Sequence, residues 1–496
     1  MPHILALDQG TTSSRAILFD QTGSAVASAQ QEINQHYPQP GWVEHDPDEI
    51  WRTQLQTARA VLQQADIPAS DVAAIGITNQ RETSLLWDRR TGKTLGRAIV
   101  WQDRRTADKC EAIHASGQAD DIRQRTGLVI DPYFSATKIQ WLLDHHDGAR
   151  AAAEKGNLAF GTVDTWLLWK LTSGRTHATD ASNASRTMLY NIHEGRWDPD
   201  LLGRFEIPAG MLPEVHPSSG VVATIDPDLL GHPIPVTGIA GDQQAALFGQ
   251  ACFEPGVTKC TYGTGCFMLM NTGASPVPSR SGLLTTIGWQ LADETTYALE
   301  GSVFVAGAAV QWLRDGLGLI RKSSDIEALA RSAKDNGGVY FVPALTGLGA
   351  PSWDPHARGA IVGLTRSSTA ANLARATLEG MAHQVADVLE LMVDDSGIQL
   401  KDLRVDGGAS KNDLLMQLQA DLLGTDLIRP VQTETTAWGT ACLAGLGIGL
   451  WDSREQLTAL TGAADRFKPS LPSDRRASER RQWRRALGRS LSWESE

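Results

Sequence analysis

A chain of 496 residues, 42% hydrophobic and 21% charged, is too long for one core and predicts two lobes of roughly 250 residues each in a soluble globular protein. Its formal net charge of −12 argues against nucleic acid as the main partner, because a polyanion calls for a basic face. Five scattered cysteines (Cys110, Cys252, Cys260, Cys266 and Cys442) with no C-x-x-C pair point away from a disulfide framework or zinc site, and towards reduced thiols in a cytoplasmic protein.

Two apolar runs, Ile4-Leu5-Ala6-Leu7 and Ala16-Ile17-Leu18-Phe19, read as buried strands around the polar loop 8–15. In that loop Gly10 lets backbone amides approach an anion, and Thr11, Thr12, Ser13 and Arg15 add donors. Asp8, at the strand end, is placed to hold a metal ion by way of water. A carboxylate beside a donor-rich turn suits a magnesium–phosphate group; an ordinary Ser- and Thr-rich hairpin turn is the competing reading. No basic leader precedes Asp8, and no apolar stretch approaches the roughly 20 residues that cross a bilayer, so neither a signal peptide nor membrane insertion is expected.

A long helix is predicted from Asp46, with Pro47 at its first position, Glu49 completing a capping box, and an apolar stripe at Trp51, Leu55, Ala58 and Leu62. Strands follow at 72–78, 84–87 and 98–101. Thr91-Gly92-Lys93-Thr94 imitates the end of a P-loop, but Trp87 stands at the first glycine position and strands lie on both sides, so it reads as a hairpin turn. Another strand–helix unit spans 158–171, with Asp164 as the expected cap. The strand 234–240 ends in Gly241-Asp242-Gln243-Gln244 and turns into a helix, where Asp242 is either an N-cap or a catalyst.

After the middle of the chain the opening pattern returns. Strand 257–262 leads into Gly263-Thr264-Gly265, and strand 266–270 leads out. A third glycine-rich loop, Asp406-Gly407-Gly408-Ala409-Ser410, separates strand 403–405 from helix 414–422. Two related halves, each with a Gly/Thr loop, predict a duplicated α/β core that closes on a nucleotide, with lobes 1–250 and 251–496 and a boundary near 249–256. Gly445, Gly447 and Gly449 follow a helix and so lack the strand of a dinucleotide site. Seven arginines between Arg475 and Arg489 read as a solvated helix face around Trp483 and Leu487.

Opposite a phosphate loop, Asp242 acquires a second role, since phosphoryl transfer to an alcohol needs a carboxylate to accept the hydroxyl proton. A polyol needs paired polar contacts and a flat apolar wall, which Arg81-Glu82, Trp101 and Tyr133 could supply. Adjacent strand residues face opposite ways, so Arg81 and Glu82 can share a ligand only where the strand has ended.

With these residues in view the whole chain resembles the sugar and polyol kinases of the actin/hexokinase-like fold, and within them the branch that acts on glycerol. The resemblance rests on segments 7–15 and 80–83, Tyr133 to Trp141, Thr179-Asp180 with Asn183 to Thr187, segment 239–246, Tyr262 to Met268 and Val405 to Gly408. It implies an α/β protein of two related actin-like ATPase (ribonuclease H-like) lobes with a central cleft, ATP and Mg2+ as cofactors, and a homo-oligomer, dimer or tetramer. It further implies Asp242 as base, with Arg81, Glu82, Trp101, Tyr133, Gln243 and Phe267 around glycerol. Thr11, Thr12, Ser13, Arg15 and Thr264 would hold phosphates, Gly307, Gln311, Gly408 and Asn412 would line the nucleotide, and Asp8 and Asp242 would lie near magnesium. The chain departs from some members at Ala409-Ser410-Lys411, and around 227–235, where it lacks the glycine- and arginine-rich loop that binds fructose bisphosphate. A kinase of a pentulose, hexulose or sugar acid, and a nucleotide-gated structural protein of the same fold, are the rival readings.

Overall fold

The computed structural model describes residues 2–292, 294–432 and 434–494. Among these, thirteen strands form one mixed sheet that carries the same arrangement twice. In the first half, His3–Gln9, Ser13–Phe19 and Ala25–Glu32 are antiparallel neighbours, and Val72–Asn79 then Pro235–Gly241 continue on the other side of His3–Gln9 in parallel. In the second half, Val257–Tyr262, Cys266–Gly273 and Glu294–Val303 are antiparallel, with Asp402–Asp406 and Leu427–Pro430 added in parallel. Strands Leu284–Leu291 and Ser219–Thr224 join the two sets. The chain reads as continuous apolar runs here because parallel strands are covered on both faces; every residue of His3–Gln9 except Asp8 is buried.

Strand register decides where the chemistry lies. Gln9 pairs with Asn79, and Asn79 with Gly241, so three parallel strands end level with one another. Their carboxyl ends deliver Asp8, the segment 80–83 and Asp242 to one edge, the usual crevice for ligands in such sheets. In the second half Thr261 pairs with Asp406, which brings the turns after both strands to a common edge.

The helix Pro47–Ala65 starts as expected, with Asp46 accepting from the amides of Asp48 and Glu49. Glu49 does not close a capping box. Its carboxylate accepts instead from Asn34, through Nδ2 at 2.8 Å and the backbone amide at 3.3 Å, because a tertiary donor competes for it. The helix Val163–Leu171 begins at Thr162, so Asp164 lies inside its first turn and accepts from the hydroxyls of Thr162 and Thr179. The turn at 91–94 is the expected hairpin, with Trp87 bridged to Thr94.

The arginine-rich tail forms the helix Ser473–Leu487, but one side of it is docked rather than solvated. Trp483 stacks on His383 with ring centroids 4.9 Å apart, and buried Arg480 is gripped by Asp387 and Glu390. All five cysteines are free and buried, and no helix among the described residues is long and apolar enough to cross a membrane.

Candidate functional site

The strand Val72–Asn79 stops one residue before Gln80, whose amide donates to the Gln9 carbonyl at 2.8 Å. Glu82 takes a left-handed backbone conformation with φ of 60°, a costly state that persists only where surrounding contacts enforce it. This break in the strand lets Arg81 and Glu82 enter one network. Arg81 grips Glu300 with both terminal nitrogens at 2.6 and 2.9 Å, reaches Tyr133 Oη at 3.3 Å and lies 3.4 Å from Asp242. Arg186 closes the ring, donating to Glu82 at 2.7 Å and to Glu300 at 3.0 Å. At Gly241 a Cβ would stand 2.7 Å from Arg81 Cδ, so the aliphatic stem of Arg81 passes only because that position has no side chain.

Over this network stands an aromatic wall. The Trp101 ring meets Tyr133 edge-on at 5.6 Å and Phe267 at 6.4 Å, the latter from the second half of the sheet. Trp101 follows the short strand Ala98–Ile99 in a turn, and its indole N–H donates to Thr11 Oγ1 at 3.0 Å. The wall is thereby tied to the loop of segment 8–15. Within that loop, Gly10 donates to the Ser13 carbonyl, Ser13 Oγ accepts from Gln30, and Arg15 is engaged by Glu434. Thr11 accepts from Trp101, Ser13 from Gln30, and Arg15 is paired with Glu434, while no side-chain hydrogen bond engages the Thr12 hydroxyl among the described residues.

The electrostatics separate the carboxylates. Burial pushes Asp8 up to about 7; Arg15 opposes this and Asp242 adds to it. Asp242 is also raised by burial, against the pull of Arg81 and Lys259. Glu300 feels the same burial, but Arg186 and Arg81 override it and hold its carboxyl at about 2. Two carboxylates that discourage each other's ionisation are a fit for a divalent cation, which would relieve both. No cluster of three or more potential metal-binding side chains occurs among the described residues. An ion here would therefore take most of its ligands from water and phosphate, as magnesium commonly does.

Thr264, Gly307, Gln311, Gly408 and Asn412, scattered over almost 150 positions of sequence, line one cavity of about 490 Å³. The helix Gly307–Asp315 is stapled to the turn after Tyr262, since Gly307 donates to the Gly263 carbonyl at 3.0 Å and Ala308 to that of Thr264 at 3.1 Å. A Cβ on Gly307 would sit 2.5 Å from the Gly263 oxygen, so the close approach needs glycine. Ala409 and Lys411 of the divergent loop also line this cavity, together with Ser323, Ser324 and Glu327, which carried no sequence signal. Arg186 lies in the quoted segment 183–187 and could have been singled out there. Glu300 lies in an unremarkable strand and could not.

Comparison with known proteins gives consistent findings. Residues 3–249 match the N-terminal domain of the FGGY family of carbohydrate kinases, and residues 258–448 match its C-terminal domain. The chain is 60% identical to the glycerol kinase of Dechloromonas aromatica, over 99% of this chain and 98% of that one. It is 58% identical to the glycerol kinase of Deinococcus radiodurans, over 100% and 98%. Among solved structures it is similar to Plasmodium falciparum glycerol kinase with ADP, with a TM-score of 0.94 and 37% identity over 99% and 98% of the two chains. A xylulose kinase from Lactobacillus acidophilus shares the fold, with a TM-score of 0.89 at 23% identity over the full length of both chains.

Proposed function

The chain belongs to the FGGY family of carbohydrate kinases, and from that premise we propose how its residues divide the work. The enzyme transfers the γ-phosphoryl group of ATP to glycerol, giving sn-glycerol 3-phosphate and ADP, with Mg2+. Its fold is the two-lobed α/β fold of actin- and hexokinase-like sugar kinases. The observation that carries the site assignment is the meeting of Arg81, Glu82, Trp101, Tyr133, Asp242 and Phe267 beside Thr11 of the first loop.

In this reading residues 1–250 supply the phosphate loop and most polyol contacts, and residues 251–496 hold the nucleotide and contribute Phe267. The aromatic wall takes the carbon skeleton of glycerol, while Arg81, Glu82 and Gln243 take its hydroxyls. Oδ1 of Asp242 already accepts from the Gln243 amide at 2.7 Å and faces Arg81, which leaves Oδ2 for the hydroxyl proton. The glycerol oxygen forms its bond to the γ-phosphorus as the bond to the β,γ-bridging oxygen breaks, and ADP carries away the electron pair. Thr11, Thr12, Ser13 and Thr264 donate their hydroxyl protons to the phosphates, with Arg15 available once Glu434 releases it. Magnesium near Asp8 and Asp242 would neutralise phosphate charge. Gly307, Gln311, Gly408 and Asn412 line the nucleotide. The protein works in the cytoplasm as a dimer or tetramer.

A coupled assay tests the reading: ADP release should require glycerol, and a panel of pentuloses, hexuloses and sugar acids should support far less of it. ADP release indifferent to glycerol, or faster with a pentulose, would reject it.

Fructose bisphosphate should leave the rate unchanged. Segment 226–233 forms a short helix, Pro227–Leu230, capped by Asp226, whose carboxylate also accepts from Ser173 and lies 3.6 Å from Arg175. A bisphosphate needs free amides and cations, and here carboxylates and prolines occupy their places. Saturable inhibition at low salt by millimolar effector would contradict this.

A further inference from the structure

Lys259 is fully buried on the strand Val257–Tyr262, yet its ammonium reaches towards the cleft residues of the other lobe. It donates to Oε1 of Gln243 and, at 3.1 Å, to Oγ1 of Thr261. An ammonium group only donates, so the Gln243 amide must turn its oxygen to the lysine. Its NH2 group faces away and has no hydrogen-bond partner among the described residues, on a side chain that is part-exposed. The neighbouring Gln244 differs: its oxygen accepts from Arg81 at 3.2 Å, and its nitrogen donates to Thr286 and to the Ile287 carbonyl at 3.3 Å each. One glutamine is consumed by the core. The other is held at one end and open at the other.

We propose that Lys259 is a positioning residue for polyol recognition, which fixes Gln243 as an obligate hydrogen-bond donor to a substrate hydroxyl. This rests on the reading that Gln243 contacts the polyol. Without a cation at its oxygen, the amide could flip and offer either end, and half of its orientations would meet the hydroxyl's own proton. With Lys259 in place only the donor is presented, so the site accepts a lone pair at that position. The restraint also crosses from one half of the sheet to the other, which fixes the helix Asp242–Gly249 against Val257–Tyr262.

A double-mutant cycle on the full chain tests it, with KM for glycerol and for ATP read separately. Gln243→Ala and Lys259→Met should each raise the glycerol KM about tenfold, leave the ATP KM within about twofold, and show no further loss when combined. Gln243→Glu keeps the lysine contact but has no donor, and should raise the glycerol KM as Gln243→Ala does. A normal glycerol KM for Gln243→Ala would overturn the polyol role of Gln243 and this proposal with it. A normal KM for Lys259→Met, or fully additive losses, would overturn the proposal alone. Should Lys259→Met fail to fold, as judged by its melting curve, Gln243→Glu decides: a wild-type glycerol KM in that variant rejects donor presentation.

Discussion

Asp242→Asn should lower kcat by about 10²–10⁴-fold and leave ATP affinity nearly unchanged. The substitution keeps the shape of the side chain, and the amide oxygen can still accept from the Gln243 backbone at the position of Oδ1. What it removes is the group able to take a proton, and one of the two carboxylates near the proposed magnesium. Because the transition state is loose, little proton transfer is needed early, which bounds the loss from the base alone. Burial already pushes the Asp242 carboxyl up from its ordinary range, towards a proton affinity useful to a general base. Steady-state rates and nucleotide titration check the expectation. Turnover within threefold of the parent would remove Asp242 from the mechanism.

Arg81→Ala should cost both stability and glycerol use. From the chain alone Arg81 reads as a polyol contact; the structure makes it also the centre of a buried ion network. Its loss strips Glu300 of a two-nitrogen grip and leaves Arg186 as its salt-bridge partner among the described residues. Breaking one side of a buried pair typically costs about 3–5 kcal/mol. The pH linkage of Glu300 runs in the same direction. Arg186 and Arg81 together hold its carboxyl below the ordinary value, at about 2, so the stability they contribute is fully present above pH 4.5 and is lost as pH falls towards 2. Denaturant melts of Arg81→Ala should therefore show a loss of this order at pH 7, and the glycerol KM should rise at least about tenfold in the folded fraction. An unchanged melt would mean the network contributes little to the fold, and an equal rise in the ATP KM would mean that Arg81 acts through the fold only.

Much of the site could be read early because its loops are local events. A strand, a Gly/Thr turn and a returning strand occupy about twenty consecutive residues, and such patterns survive in any tertiary context. Gly307, Gln311, Gly408 and Asn412, which the resemblance groups together, line one cavity. What could not be read is instructive. Glu300 meets Arg81 across 219 positions, and Arg186 meets Glu82 across 104. No periodicity links residues so far apart, and a glutamate in a strand gives no hint that two guanidiniums await it. Glu49 and Asp164 were misread for a related reason, since Asn34 and Thr179 reach them from outside the local helix.

The amino-acid sequence by itself determined the duplicated α/β core, the strands buried on both faces and the loops at their ends, because hydrophobic period, glycine and capping chemistry act over a few residues. It also carried the resemblance that names the reaction. Only the tertiary structure decided which charges are consumed by pairing and which stay available. Arg15 is met by Glu434, Gln244 by the core, and Lys259 turns Gln243 outward. Those outcomes follow from strand register and from the approach of two halves of a sheet, which bring within hydrogen-bonding distance side chains that the chain keeps apart.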